Sequence, residues 1–356
     1  MDFSLFYFDG NAERSDGNLY RLFLESAKFA DRHGFSAIWT PERHFHPFGG
    51  LYPNPSVLGA AISTVTEQIQ IRAGSVVLPL QDPIRVAEEW SVVDNLSGGR
   101  IGLSVASGWT LDDFVLSREH FDNRKSLMWQ NLDILQTLWQ GKSVERQDAT
   151  GKSFQVEIFP KPVQSNLPIW ITCQSPGTFM KAGEMGANIL TALLYENIDD
   201  VAEKIALYRD ARERHGFDPD AGQVTLMVHT FVGDDFDGVK QQVQGPFCNY
   251  LKTHLNLLEH LAKGMGLDVS LDTFSERDID DLLVFGVENF LNGRALVGTP
   301  ETCQSMVERM YRAGINEVAC LIDFNPDFEA VMASLPHLAK LKEQCAFESQ
   351  PLSSVR

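Results

Sequence analysis

Eight short apolar or β-branched runs, at 3–8, 35–40, 69–78, 100–106, 168–172, 187–192, 223–232 and 316–322, alternate with segments of helical period. Few folds accept that order, because each amphipathic helix must bury its stripe against a sheet of parallel strands. No G-x-G-x-x-G fingerprint follows the first run, so an open dinucleotide-binding sheet fits less well than a closed one. The alternation predicts an α/β fold, a (β/α)8 TIM barrel with insertions.

The helical segments carry their own start and stop signals. In 18–34 the apolar residues fall at 19, 22, 23, 27 and 30, and Gly34 is placed to end the helix. In 81–99 Asp82 reads as the N-cap and Pro83 as the first helical residue, with Ile84, Ala87 and Trp90 on the buried face and Gly98 and Gly99 as the stop. Leu132, Leu135 and Trp139 mark another buried face that ends at Gly141, and Thr299 with Pro300 opens a late helix that ends at Gly314.

The 356 residues fit one such domain, spanning 1–345, with 346–356 as a flexible tail. Two stretches interrupt the alternation: 141–167 reads as a strand-rich excursion, and 245–293 is a long insertion of the kind that serves as a lid. Acidic residues outnumber basic ones 48 to 30, and a net charge of −18 repels nucleic acid and anionic membrane surfaces. The start "MDFSLFYFDG" is unlike a secretory signal and no run is of membrane-spanning length, so the expected location is cytoplasmic. Five scattered cysteines without a C-x-x-C pair argue against a disulfide framework or a zinc ribbon, and read as buried thiols.

Barrel enzymes place their chemistry at the C-terminal ends of the strands. The second run leads into "TPERHFHPFGG", which brings Glu42, Arg43, His44 and His46 to that rim. The third run carries Gly74 and Ser75, small residues that mark a bulge or a close approach by a ligand. The fourth ends at Ala106, Ser107, Gly108 and Trp109, and the fifth is followed by Gln174, Ser175, Gly177 and Thr178 at a helix start suited to a phosphate.

The stretches "GFSAIWTPERHFHPFGGLYPNPSV", "AGSVVLPLQDPIRVAEEWSVVDNLSGGRIGLSVASGW", "LPIWITCQSPGTFMKAGEMGANIL" and "LVGTPETC" together resemble the bacterial luciferase-like flavin monooxygenases. The resemblance covers nearly the whole chain and is greatest to the branch found beside polyketide and nonribosomal peptide assembly lines. It implies a (β/α)8 barrel that takes reduced FMN (FMNH2) from a separate flavin reductase, with O2 as co-substrate. It further implies a natural-product intermediate as substrate, free or tethered to a separate carrier protein, and homodimers are common in the family.

Carried over residue by residue, the resemblance implies a cis Gly74–Ser75 peptide under the flavin ring, with Ala106, Ser107 and Trp109 beside it. Gln174, Ser175, Gly177 and Thr178 then surround the ribityl chain and phosphate. Two positions depart from the luciferases: Gln174 replaces a carboxylate and Ser107 an arginine, which makes Arg294 the candidate compensating cation. Arg43 stands in the slot of the luciferases' catalytic histidine. A permanently charged guanidinium is a poor base. His44 is therefore the expected proton handler, with Glu42 orienting it and Arg43 anchoring a substrate or flavin oxygen.

Three rival readings share the fold: an F420-dependent oxidoreductase, a flavin-binding protein without catalysis, and a metal-dependent hydrolase built on His44, His46 and Asp323. The last lacks further histidines at the strand ends, where Thr172, Cys173 and Thr191 stand instead. No metal is expected.

Overall fold

Parallel pairing runs from β1 (Asp2–Phe6) through β2 (Ala37–Thr40), β3 (Gln70–Val77), β4 (Ile101–Ala106), β7 (Ile169–Thr172), β8 (Asn188–Ala192) and β9 (Val224–Val232) to β11 (Glu317–Leu321), which pairs back with β1. The eight strands thus close into the (β/α)8 barrel. The computed structural model describes residues 1–8, 18–193, 196–264 and 293–347.

Helices α1 (Arg21–Arg32), α2 (Pro55–Ser63), α3 (Pro83–Ser97), α4 (Arg124–Trp139), α5 (Pro176–Glu184), α6 (Ile198–Arg214), α7 (Phe236–Gly264), α8 (Pro300–Arg312) and α9 (Phe328–Gln344) follow the strands. Their ends obey the local chemistry. Asp82 Oδ1 accepts the Ile84 N–H at 2.8 Å to cap α3, and Gly98 closes that helix in the left-handed region at φ 70°. Trp90, 1% exposed, lies on its buried face.

Within 141–167 an antiparallel hairpin forms from β5 (Val144–Gln147) and β6 (Ser153–Val156). The insertion at 245–293 begins as the continuation of α7 to Gly264, whereas 265–292 lies outside the described residues, as do 348–356 of the tail. A ninth barrel-sheet strand, β10 (Ala295–Gly298), was not read from the sequence. It pairs with the second half of β9, His229 to Val232, which is long enough to hold a neighbour after leaving the barrel.

Register decides which side chains fill the barrel, because paired residues in a parallel sheet face the same side. Trp39, Arg72, Gly102, Ser104, Trp170 and Glu317 face inward, as the contacts of Trp39 and Arg72 with Glu317 confirm. At the N-terminal end Glu317 Oε1 accepts from Ser4 (2.6 Å) and Trp39 Nε1 (2.9 Å), and Oε2 from Arg72 (2.7 Å) and Gln223 (3.0 Å). Arg72 is held over the Trp170 ring at 4.4 Å and the Trp39 ring at 5.0 Å. This layer plugs the barrel floor.

Candidate active site

Above the plug, β3, β4 and β7 contribute small or polar groups, Gly74, Ser104, Ala106 and Thr172, whereas Leu190 and Met227 face the same side from β8 and β9. β3 is bulged there. Its pairing with β4 shifts between Gly74 and Val76, so Ser75 has no partner in the ladder, and the Gly74–Ser75 peptide bond is cis. Gly74 is required by packing, since an added Cβ would sit 2.9 Å from Phe6 Cε2 and 3.1 Å from Trp39 Cε3.

The "PERH" stretch lies directly beyond β2. Glu42 is buried and accepts three hydrogen bonds: from the Val77 N–H at 2.7 Å, from Gln81 Nε2 at 2.6 Å, and at 3.0 Å from His44 Nε2, whose hydrogen follows from the acceptor it faces. Two of those bonds tie the β2 loop to the end of β3, which explains how a carboxylate is accommodated at 6% exposure. His44 stays partly open beside Phe45, which is 64% exposed and takes φ 53°.

Arg43 turns away from this group. Its Nη1 donates to Thr110 Oγ1 at 2.6 Å and to Asp113 Oδ2 at 3.0 Å, and its guanidinium lies 5.6 Å from the Trp109 ring. Arg43 and Asp113 are 4% and 5% exposed; Arg43 Nε and Asp113 Oδ1 lack a close hydrogen-bond partner, although the His44 backbone N–H also acts on the Asp113 carboxylate. Burial pushes the Asp113 carboxyl above its ordinary range, against the pull of Arg43. Gly108 allows this loop to pass, with φ 77° and no room for a Cβ, which would meet Val77 Cγ1 at 2.7 Å and Phe114 Cε2 at 2.9 Å. Trp109, Leu111, Val115 and Leu116 in the segment after β4, and Phe45 after β2, are exposed apolar side chains.

Beyond β7, Ser175 caps α5: its Oγ accepts the Thr178 N–H at 3.4 Å and lies 2.9 Å from Thr178 Oγ1. Nothing lies within 4 Å of the position a Gly177 Cβ would take, and Gln174 is exposed. Lys204 Nζ donates to the Gln174 carbonyl at 2.6 Å and pairs with Glu196. Arg294 is half-buried just before β10, next to the Ala295 that pairs with His229. Ser107 is half-buried at the rim.

The structure therefore brings Glu42 and His44 into one group and puts Arg43 with Trp109 in another. His46 joins neither: its Nδ1 accepts the Phe48 N–H at 3.1 Å. Asp323 holds the Phe8 N–H and the Tyr52 hydroxyl, each at 2.8 Å, and no group of three metal-binding side chains occurs among the described residues. Sequence reading missed Asp113, Thr110, Thr172 and Lys204. The "LDDF" that follows Trp109 was the available signal for Asp113.

The strand ends thus bring together the β3 bulge at Ser75, the Glu42–His44 pair and the Ser175-capped start of α5. The sequence model of the luciferase-like monooxygenases matches residues 1–317. The oxygenase component of flavin-dependent trigonelline monooxygenase from Acinetobacter baylyi is 24% identical over 346 residues, covering 95% of this chain and 93% of its own. Among solved structures, the oxygenating constituent of 3,6-diketocamphane monooxygenase from Pseudomonas putida, in complex with FMN, superposes with a TM-score of 0.78 at 18% identity over 99% and 100% of the two chains. An F420-dependent secondary alcohol dehydrogenase superposes with a TM-score of 0.70 at 16% identity over 97% and 99%. These last two share the fold, and the match over 1–317 goes further: the chain belongs to the luciferase-like monooxygenase family.

Proposed function

We propose that the protein is the oxygenase component of a two-component system, which takes reduced FMN from a separate reductase and uses O2 to oxidise a natural-product intermediate, free or tethered to a carrier protein. The family match over residues 1–317 carries this reading, and the β3 bulge at Ser75 together with the Ser175-capped start of α5 supplies small and polar groups at the strand ends where the cofactor would bind. Ser175 and Thr178 with the first amides of α5 suit the phosphate, with Arg294 as the candidate cation and Lys204, paired with Glu196, against the Gln174 carbonyl. When bound, the reduced flavin supplies the electrons that activate O2.

The chain's own residues divide the remaining work. Because Glu42 already accepts from Val77 and Gln81, His44 donates from Nε2, which leaves Nδ1 of the neutral ring to take or return a proton. Arg43 and Asp113 offer an unfilled donor and an unfilled acceptor oxygen, a match for a substrate carbonyl or hydroxyl. Trp109, Leu111, Val115 and Leu116 receive an apolar body and help exclude water.

The test is a reconstituted assay with an unrelated flavin reductase, NADH, FMN and 18O2, run over a series of apolar ketones, aldehydes and alkenes. A product carrying one 18O atom, formed with the wild type and lost in His44→Ala, is the expected result. Hydrogen peroxide released at the rate of the reductase alone, with every compound, would contradict the proposal. The second reading, reduced F420 in the same mouth, draws on the fold shared with the F420-dependent dehydrogenase and predicts turnover without O2.

A further inference from the structure

Three hydroxyls line up in the wall of the barrel mouth. Ser104 Oγ, fully buried on β4, lies 2.8 Å from Thr172 Oγ1 at the end of β7, and Thr172 Oγ1 makes a short hydrogen bond with Ser75 Oγ in the bulge. Each hydroxyl has one hydrogen to give and two lone pairs to receive, so the distances alone leave the direction open.

Burial fixes the direction. Among the described residues the Ser104 hydroxyl has Thr172 as its sole hydrogen-bond partner. A buried O–H left without an acceptor is costly, so Ser104 donates and Thr172 accepts. The Thr172 hydrogen is then directed to Ser75, the other oxygen within reach. Ser75, half-buried at the mouth, is left with a hydrogen that neither neighbour takes.

We infer that Ser104, Thr172 and Ser75 form a one-way hydroxyl chain that presents a hydrogen-bond donor from Ser75 into the barrel mouth, matched to a ligand ring bearing an acceptor nitrogen or carbonyl oxygen. The ligand class rests on the flavin reading; the direction of the chain does not. Successive hydroxyls polarise one another, so the Ser75 hydrogen is a better donor than an isolated serine. Thr172 is a positioning residue, since its hydroxyl fixes the rotamer of Ser75.

Two measurements test this together. Neutron diffraction on the deuterium-exchanged protein without ligand reads the direction directly: the Ser104 deuteron should lie toward Thr172, that of Thr172 toward Ser75, and that of Ser75 toward the mouth. A Ser75 deuteron directed at Thr172 would overturn the inference. Anaerobic titration with FMNH2 gives the second readout, in which Thr172→Val weakens binding about tenfold and Thr172→Ser restores it to within about twofold, with thermal midpoints showing that both variants fold. Unchanged binding in a folded Thr172→Val protein would equally overturn it. Deuterons in the inferred order in a wild type that binds no FMNH2 would uphold the chain and sink the flavin reading instead.

Discussion

Two arginine-carboxylate pairs are buried in this barrel, one at each end, and they are satisfied to different degrees. At the floor each Glu317 oxygen accepts two hydrogen bonds, Arg72 lies against two tryptophan rings, and neither side chain has a buried polar atom without a partner. At the mouth a single nitrogen of Arg43 makes both of its contacts, leaving Arg43 Nε and Asp113 Oδ1 unpartnered although both residues are at least as well buried as Arg72, at 7% exposure. Desolvating charge is costly, and proteins complete such networks where structure is the only purpose. Under the proposed function, the incomplete pair at the mouth is the one that takes a substrate oxygen, although Trp170 Nε1 in the floor layer is also without a partner.

That contrast is broken most severely at the floor. Arg72→Met leaves Glu317 buried without its cation and should cost about 3–5 kcal/mol, seen as a large fall in thermal midpoint or as loss of soluble protein. Arg43→Met should cost far less, because the Asp113 carboxyl, already raised by burial, takes up a proton in its partner's absence. Equal losses of stability in the two variants would remove the distinction.

At the mouth the effects move from stability to turnover. His44→Ala should lower product formation about 10²- to 10⁴-fold with little change in thermal midpoint, as expected for a proton-transfer group. Asp113→Asn keeps the shape of the loop but replaces the open acceptor with an amide. Its substrate KM should rise about tenfold with FMN affinity unchanged. A parallel loss of FMN affinity would move Asp113 from the substrate to the cofactor.

The strand and helix order was legible in the sequence, whereas neither the Arg72–Glu317 plug, whose partners lie 245 positions apart, nor the finer wiring of the mouth was. Strand runs, the Asp82-Pro83 helix start and the Gly98 stop are local signals, set by side-chain period and by caps within a few residues. The rim position of Glu42, Arg43 and His44 followed from one strand end. By contrast, the Arg43 contact to Asp113 spans 70 positions and the Ser75 contact to Thr172 spans 97, distances over which no local pattern constrains a partner. Strand β10 escaped for a different reason. Its four residues sit against the "GTPETC" helix start, too short to show a period.

The smallest expected effect lies below the floor, where Asp31 accepts the N–H groups of Glu67, Gln68 and Ile69 at 2.7–2.9 Å. Burial raises its carboxyl, but those three bonds outweigh it and hold the group below its ordinary range. A depressed carboxyl contributes stability above its unfolded-state value, and loses it as pH falls through the folded one. Asp31→Asn should therefore flatten the acid side of the stability profile by a small amount, measured as thermal midpoint between neutral and acid pH. An unchanged acid slope would place that stabilisation elsewhere.

The central claim is that the mouth, not the floor, is a reduced-flavin site. Anaerobic titration of the wild-type protein with FMNH2 and, separately, with reduced F420 tests it directly. The account predicts saturable FMNH2 binding, weakened by changes at Ser75 or Ser175 and at least tenfold tighter than any binding of reduced F420. Binding of reduced F420 alone, or of neither, would contradict it.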